Sequence, residues 1–113
     1  MTTHSKPCAR ADFLFRRGGD MTVGVRWRQD AGNGYEPVDM TGYEATFHLE
    51  DNFGWSLLEV ACTCTSDGYA MALVSADTWE SDALAGVTKG SWRIVAERDG
   101  APRVIGIGYW EVR

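Results

Sequence analysis

The stretch Met21-Thr22-Val23-Gly24-Val25-Arg26-Trp27 alternates large apolar residues with smaller or more polar ones. A period of two places successive side chains on opposite faces of a β-strand. The same period recurs over residues 43–50, 69–74 and 92–97, where the apolar sets begin at Tyr43, Tyr69 and Trp92. One apolar face and one more polar, solvent-exposed face are typical of antiparallel strands in a sandwich or barrel. We therefore predict an all-β fold.

Short glycine-containing sequences separate the alternating stretches. Asn33-Gly34, Asp67-Gly68 and Asp99-Gly100 each stand between two strand candidates, and such pairs readily adopt the positive φ values of tight hairpin turns. Counting residues 12–16 as the first strand gives about seven, which is typical of an immunoglobulin-like antiparallel β-sandwich. Residues 75–86 break the pattern and predict one or two helical turns that cross between the sheets.

The length of 113 residues fits one domain. Residues 1–11 are polar, unpatterned and contain Pro7, so we expect a flexible N-terminal arm that orders on docking, followed by a β-sandwich domain over residues 12–113. Trp27 and Trp92 are predicted to point into the core. Tyr69, Met71 and Leu73 are predicted to form the apolar face of their strand.

Charge and hydropathy exclude several classes of partner. Eleven basic and sixteen acidic residues give a net charge of −5, which argues against a nucleic-acid binder. No apolar run approaches the ~20 residues that a membrane-spanning helix needs, and no basic-then-apolar leader opens the chain, so we expect a soluble protein with no membrane partner. Three cysteines cannot form a fully paired set, which favours a reducing site of synthesis.

Two thiols on one strand are the first candidate for chemistry. Cys62 and Cys64 point the same way, and with His48 or Cys8 they could bind zinc. Zinc ligands usually stand two to four residues apart in a turn, however, and a fourth ligand is missing. The alternative, which we favour, is a pair of small half-buried apolar residues. No metal, cofactor or cofactor-binding residue is expected.

Carboxylates and histidines give no sharper signal. Glu50 with Asp51 and Asp77 with Glu80 are neighbouring acids, but glycoside hydrolysis needs two carboxyls facing each other across a cleft. His48 falls on the predicted wetter face of its strand, without a serine or cysteine nucleophile beside it. The sequence therefore predicts no catalytic residue and no enzyme.

Exposed aromatic and basic residues are the candidates for binding. Trp55 follows Asn52-Phe53-Gly54 in a predicted loop, and Tyr109 alternates with Trp110 so that one of the two faces outward. Aromatic residues and arginine are enriched at protein interfaces. Arg16 and Arg17 are adjacent, and Arg26 and Arg28 are expected on one face of the next strand. The candidate interface residues are Arg16, Arg17, Arg26, Arg28, Phe53, Trp55, Tyr109 and Trp110. The alternatives are aromatic residues that close the edges of a thin core and scattered, solvated arginines.

Several motifs follow one another in an order that resembles a known module. The first half contains Asp12-Phe13-x-Phe15-Arg16-Arg17-Gly18-Gly19-Asp20, then Pro37-Val38-Asp39-Met40-Thr41-Gly42-Tyr43 with Ala45 in the next strand. The second half contains Ser66-Asp67-Gly68, Ser75-Ala76-Asp77-Thr78, Gly90-Ser91-Trp92 and Asp99-Gly100. Over about residues 12–113 the chain is similar to the LtfC-like β-sandwich domain of actinobacterial phages and to the N-terminal immunoglobulin-like domain of baseplate upper proteins.

This resemblance implies a non-enzymatic virion structural protein, made in the host cytoplasm. The expected role is that of a minor tail or tail-tip and baseplate accessory component, which binds other virion proteins in a homo-oligomeric or otherwise symmetric assembly. A capsid-decorating or head–tail connector protein is the nearest alternative. A carbohydrate-binding module for host cell-wall adhesion, with Trp55, Trp110 or Tyr109 as its stacking platform, is the alternative from another class.

Overall fold

The computed structural model describes residues 9–30 and 32–113. Strands account for 58% of the chain, so the all-β prediction is confirmed. The described residues form eleven strands, which are β1 (Ala9–Arg10), β2 (Phe13–Phe15), β3 (Met21–Arg26), β4 (Arg28–Asp30), β5 (Tyr35–Pro37), β6 (Glu44–Glu50), β7 (Ser56–Ala61), β8 (Thr63–Cys64), β9 (Tyr69–Val74), β10 (Lys89–Arg98) and β11 (Ala101–Val112). Five of them span only two or three residues, which is why the count exceeds the seven predicted.

The strands form two packed sheets and a small ribbon. The larger sheet has the order β1-β11-β10-β6-β7, with β2 also paired to β11, while the second sheet has the order β3-β9-β8 and the ribbon joins β4 to β5. The long strands pair antiparallel, as predicted, but β1 and β2 run parallel to β11. The larger sheet is therefore mixed rather than purely antiparallel.

Inward-facing residues of both sheets share one hydrophobic core. The predicted alternation is confirmed in β3, β6 and β10, whose buried residues are Val23, Val25, Ala45, Phe47, Leu49, Trp92, Ile94 and Ala96. Trp27 and Trp92, predicted to be core residues, are 5% and 1% exposed.

The predicted face of β9 is wrong. Ala70, Ala72 and Val74 are buried, whereas Tyr69 and Leu73 are 38% and 55% exposed. The cause is the register with β3, which places the inward-facing Val25 and Val23 opposite Ala70 and Ala72. Directly opposed residues share a face, so the small alanines point into the core and the larger residues point away from it.

The C-terminal end of the predicted arm belongs to the sheet. Ala9–Arg10 pairs with β11, the Ala11 N–H donates to the Ile107 carbonyl at 3.2 Å, and the Trp92 indole N–H donates to the Ala11 carbonyl at 2.9 Å. The boundary at residue 11 is therefore wrong, because these backbone groups find partners on β11 and β10. The rest of the predicted arm, residues 1–8 with His4 and Cys8, lies outside the described residues.

Two short 3₁₀ turns, Ala76–Glu80 and Asp82–Leu84, confirm the helical turns expected after β9. Their buried Trp79 packs against Phe15 and Trp110, with ring centroids 5.0 and 5.6 Å away. The turns thereby close one end of the core. Within the described part of the chain, no helix is long and apolar enough to cross a membrane.

Candidate binding surface

A tight hairpin between β6 and β7 presents two exposed aromatic side chains. Asp51 Oδ1 accepts the N–H groups of Phe53 at 2.8 Å and of Trp55 at 3.0 Å. The Asp51 N–H also donates to the Trp55 carbonyl at 3.0 Å, and Gly54 supplies the left-handed conformation of the turn with φ +85°. Phe53 and Trp55, which we call the aromatic tip, are 87% and 72% exposed.

The backbone of the aromatic tip is fixed before any partner arrives. An Asp side chain that accepts hydrogen bonds from the residues after it stabilises this kind of turn, and binding then orders little besides the two side chains. Large exposed aromatic groups on such a support are typical of binding sites. Phe53 and Trp55 are exposed and do not close an edge of the core, and their role as interface residues stays a prediction.

A groove lies beside the aromatic tip, against β2, β10 and β11 of the larger sheet. Its larger compartment has a volume of about 500 Å³ and is lined by Asp12, Phe13, Leu14, Asn52, Lys89, Gly90, Tyr109, Trp110, Glu111 and Arg113. A second compartment of about 310 Å³ is lined by residues 51–53 and 86–89. Asn52 and Lys89 line both compartments, so the two are neighbours, and we call them together the groove.

Most charged groups at the groove already have partners in the fold. Asp12 Oδ1 accepts the Tyr109 N–H at 3.0 Å, and Glu111 pairs with Arg113 at 3.0 Å. The Arg10 guanidinium lies 5.3 Å from the centre of the Tyr109 ring. Lys89 is exposed and makes no salt bridge within the described residues. The groove therefore offers one cation that is open to a ligand.

Tyr109 and Trp110 have opposite orientations. Tyr109 is 58% exposed, whereas Trp110 is 2% exposed and donates its indole N–H to the Glu50 carbonyl at 2.8 Å. The assignment of Trp110 as a contact or stacking residue is therefore wrong. Its large ring fills the core beside Trp79, and its polar N–H is satisfied inside the protein.

The four arginines do not form one cluster. Arg16 and Arg17 are exposed after β2, and Arg28 is exposed in β4. Arg26 is half-buried in β3, where its Nε donates to the Asp67 carbonyl at 2.9 Å and its guanidinium lies 5.1 Å from the Tyr69 ring centre. Arg26 and Arg28 belong to separate sheets, so the predicted common face of one strand is wrong.

A polar cluster on the outer face of the larger sheet was missed from the sequence. Glu50, only 8% exposed, accepts hydrogen bonds from Arg93 Nε at 2.8 Å and Ser91 Oγ at 3.3 Å. His48 lies opposite Arg93 and Glu59; burial and the Arg93 charge lower its pKa. Cross-strand register brings these residues together, and no local sequence signal reveals that register.

The paired thiols remain half-buried, as predicted. Burial, followed by the charge of Cys64, raises the pKa of Cys62 to about 12, and burial also raises the pKa of Cys64. Within the described residues, no group of three or more His, Cys, Asp or Glu residues is placed to hold a metal ion. Both thiols therefore pack as apolar groups against the core.

We predict that Cys62 resists alkylation in the native protein. In the Cys8→Ser/Cys64→Ser variant, iodoacetamide at pH 8 should react on the order of a hundredfold more slowly than in the same variant unfolded in urea, since the thiolate is the reactive form. Mass spectrometry of timed samples measures both rates. Equal rates would show that burial does not protect this thiol.

A comparison with models of known protein families found no match, and a comparison with curated proteins found none either.

Proposed function

We propose that this protein is a non-enzymatic structural component of a tailed-phage virion, a minor tail or tail-tip and baseplate accessory protein that binds other virion proteins. The observation that carries this proposal is the aromatic tip, where two large apolar side chains stand 87% and 72% exposed on a turn held by Asp51. The order of motifs along residues 12–113 supplies the virion context.

The fold that we propose is the immunoglobulin-like sandwich. In that fold, strands C, F and G share one sheet and strands B, E and D share the other, and variable-type domains extend the first sheet beyond C. The neighbours β11-β10-β6-β7 match G, F, C and the added strand, and β3-β9-β8 match B, E and D. Their sequence order agrees with this correspondence, which supports the proposal.

The proposed mode of action is rigid docking. A sandwich with a shared core carries the aromatic tip at one end, and a symmetric particle would repeat this contact in every copy. The exposed Arg16, Arg17 and Arg28 would contribute charged contacts at the rim of interfaces, where they favour correct orientation more than affinity.

The same surfaces would serve a capsid-decorating or head–tail connector protein. Quantitative mass spectrometry of purified particles, separated into heads and tails, tests the virion role and its location together. We expect a fixed ratio between this chain and the main tail protein in the tail fraction. A fixed ratio in the head fraction would favour the alternative, and absence from particles would overturn the virion role.

We predict that the aromatic tip is needed for incorporation and dispensable for folding. The Phe53→Ser/Trp55→Ser variant should melt within about 2 °C of the wild type, since surface substitutions change stability little. Its amount in particles should fall at least about tenfold, because buried aromatic anchors each contribute about 2 kcal/mol or more to binding. Immunoblotting of purified particles measures the amount.

Tyr35→Ser is the matched control for this variant. Tyr35 lies in β5 and is 55% exposed, so its replacement removes a similar aromatic surface away from the tip. We expect normal incorporation. Equal incorporation of the tip variant and the control would refute the assignment of the tip as the docking element.

A further inference from the structure

We propose that the groove formed by the two compartments binds a short oligosaccharide, a function independent of the proposed place in a virion. Each compartment has an exposed aromatic group, Tyr109 in the larger one and Phe53 in the smaller one, and Asn52 and Lys89 line both. The compartments fall in the size range of small-molecule sites, roughly 300–1,000 Å³. This set of side chains suits a ligand that has both apolar and polar surfaces.

The floor of the groove disfavours a peptide bound as an added strand. Gly90 and Trp110 pair with each other in the antiparallel ladder of β10 and β11, so their backbone groups face strand neighbours rather than the groove. Strand addition depends on main-chain hydrogen bonds at an open sheet edge. At these two positions a ligand must therefore be recognised through side chains. Among the described residues β2 has a strand neighbour on one side only, so the hexapeptide in the test below checks strand addition there.

The side chains that remain open match the chemistry of a sugar. The Arg10 guanidinium lies over one face of the Tyr109 ring. The rest of this ring, which is 58% exposed, and Leu14, which is 38% exposed, offer apolar surface to the C–H face of a pyranose ring. The exposed Asn52 has two amide donors and an acceptor for hydroxyl groups. A sugar needs both kinds of surface within one site.

Lys89 adds a preference for oxygen-rich or acidic groups. It lines both compartments, has Glu111 as its cross-strand neighbour, and makes no salt bridge within the described part of the chain. An ammonium group has three donors and no acceptor, so it can bind hydroxyl, carboxylate or phosphate oxygens alike. The proposed ligand therefore places its most electron-rich oxygens beside Lys89, with one ring against Tyr109.

Nuclear magnetic resonance titration of the full-length protein tests this site. The probes are the tetrasaccharides of β-1,4-linked N-acetylglucosamine, β-1,4-linked glucose and α-1,4-linked galacturonic acid, and a hexapeptide of alternating Val and Thr. At least one tetrasaccharide should shift the amide signals of Asn52, Lys89 and Tyr109 at millimolar concentration, and the hexapeptide should not. Shifts outside the groove, no shifts with all three sugars, or shifts with the peptide alone would overturn the proposal.

Two variants then connect binding to the groove. Tyr109→Ala should weaken binding of the active tetrasaccharide about fivefold to tenfold, the loss expected for one aromatic contact, and Lys89→Met should weaken the galacturonate most. Tyr35→Ala, a matched change at a residue 55% exposed against 58% for Tyr109, should bind like the wild type. Unchanged binding by Tyr109→Ala would refute the site. Phe53 belongs to both the aromatic tip and the groove, whereas Trp55 lines neither compartment. Trp55→Ser alone therefore separates the two functions, because it should weaken docking and leave sugar binding unchanged.

Discussion

Replacing Trp92 by alanine is expected to lower the free energy of unfolding by about 4 kcal/mol, as for other fully buried aromatic residues. Its side chain is 1% exposed. The indole ring stacks on Phe13 with centroids 4.7 Å apart and packs against Phe47 at 5.8 Å. Its N–H also holds the Ala11 carbonyl at 2.9 Å. The substitution therefore opens a cavity and removes the hydrogen bond that anchors the segment before β2.

Urea unfolding followed by circular dichroism measures this effect. Trp55→Ala is the matched control, because the same atoms are removed from a side chain that is 72% exposed, and its effect should stay within about 0.5 kcal/mol. Trp92→Phe should fall between the two, since it keeps a ring but loses the donor. Similar losses for Trp92→Ala and Trp55→Ala would contradict the assignment of Trp92 to the core.

Gly108→Ala is expected to lower the free energy of unfolding by about 3 kcal/mol, at the upper end of the effect of overpacking a well-packed site. A β-carbon at position 108 would overlap the Ala11 carbonyl oxygen and approach Trp92 Nε1 to 2.6 Å. The oxygen belongs to the backbone, so it cannot move aside as the end of a flexible side chain can. Relief of the overlap requires a shift of the backbone, and we expect residues 9–11 to lose their pairing with β11.

Hydrogen exchange of individual backbone amides tests where the Gly108→Ala substitution loosens the structure. In the Gly108→Ala variant, protection should fall first at the Ala11 amide, which donates to Ile107 in the wild type. Gly19→Ala is the control, since a β-carbon there meets nothing within 4 Å and its φ lies outside the left-handed region. We expect the control to unfold within about 0.5 kcal/mol of the wild type. Equal stability of the two variants would contradict the described packing of Ala11 on β11.

The strands with strict alternation could be predicted from sequence, because one buried face imposes a period of two. This holds for β3, β6 and β10. It fails for β9, where Ala70 and Ala72 face the core and Leu73 does not: the register with β3 sets the orientation, and residue size does not. The parallel pairing of β1 and β2 with β11 joins opposite ends of the chain, a contact that no local pattern specifies.

In the binding surface, too, some residues could be identified from the sequence and others only from the fold. Phe53 and Trp55 could be named as candidates, since a loop with glycine beside two aromatic residues is a local signal, but only the fold shows that both are exposed. The sequence does not show whether Tyr109 or Trp110 is exposed, because either residue suits either face of β11. The packing of the sheet decides this. Lys89 carries no signal of its own. It becomes a candidate ligand-binding residue only because folding brings Asn52 and Tyr109 to the same groove.

Site-specific photo-cross-linking from position 55 in assembled particles is the most direct test of the docking role. A photoreactive phenylalanine analogue replaces Trp55 in one variant and Tyr35 in another, and purified particles are irradiated and analysed by mass spectrometry. We predict one discrete adduct from position 55, joined to another virion protein or to a second copy of this chain, and none from position 35. Failure of position 55 to cross-link in particles that contain the chain would contradict docking through the aromatic tip.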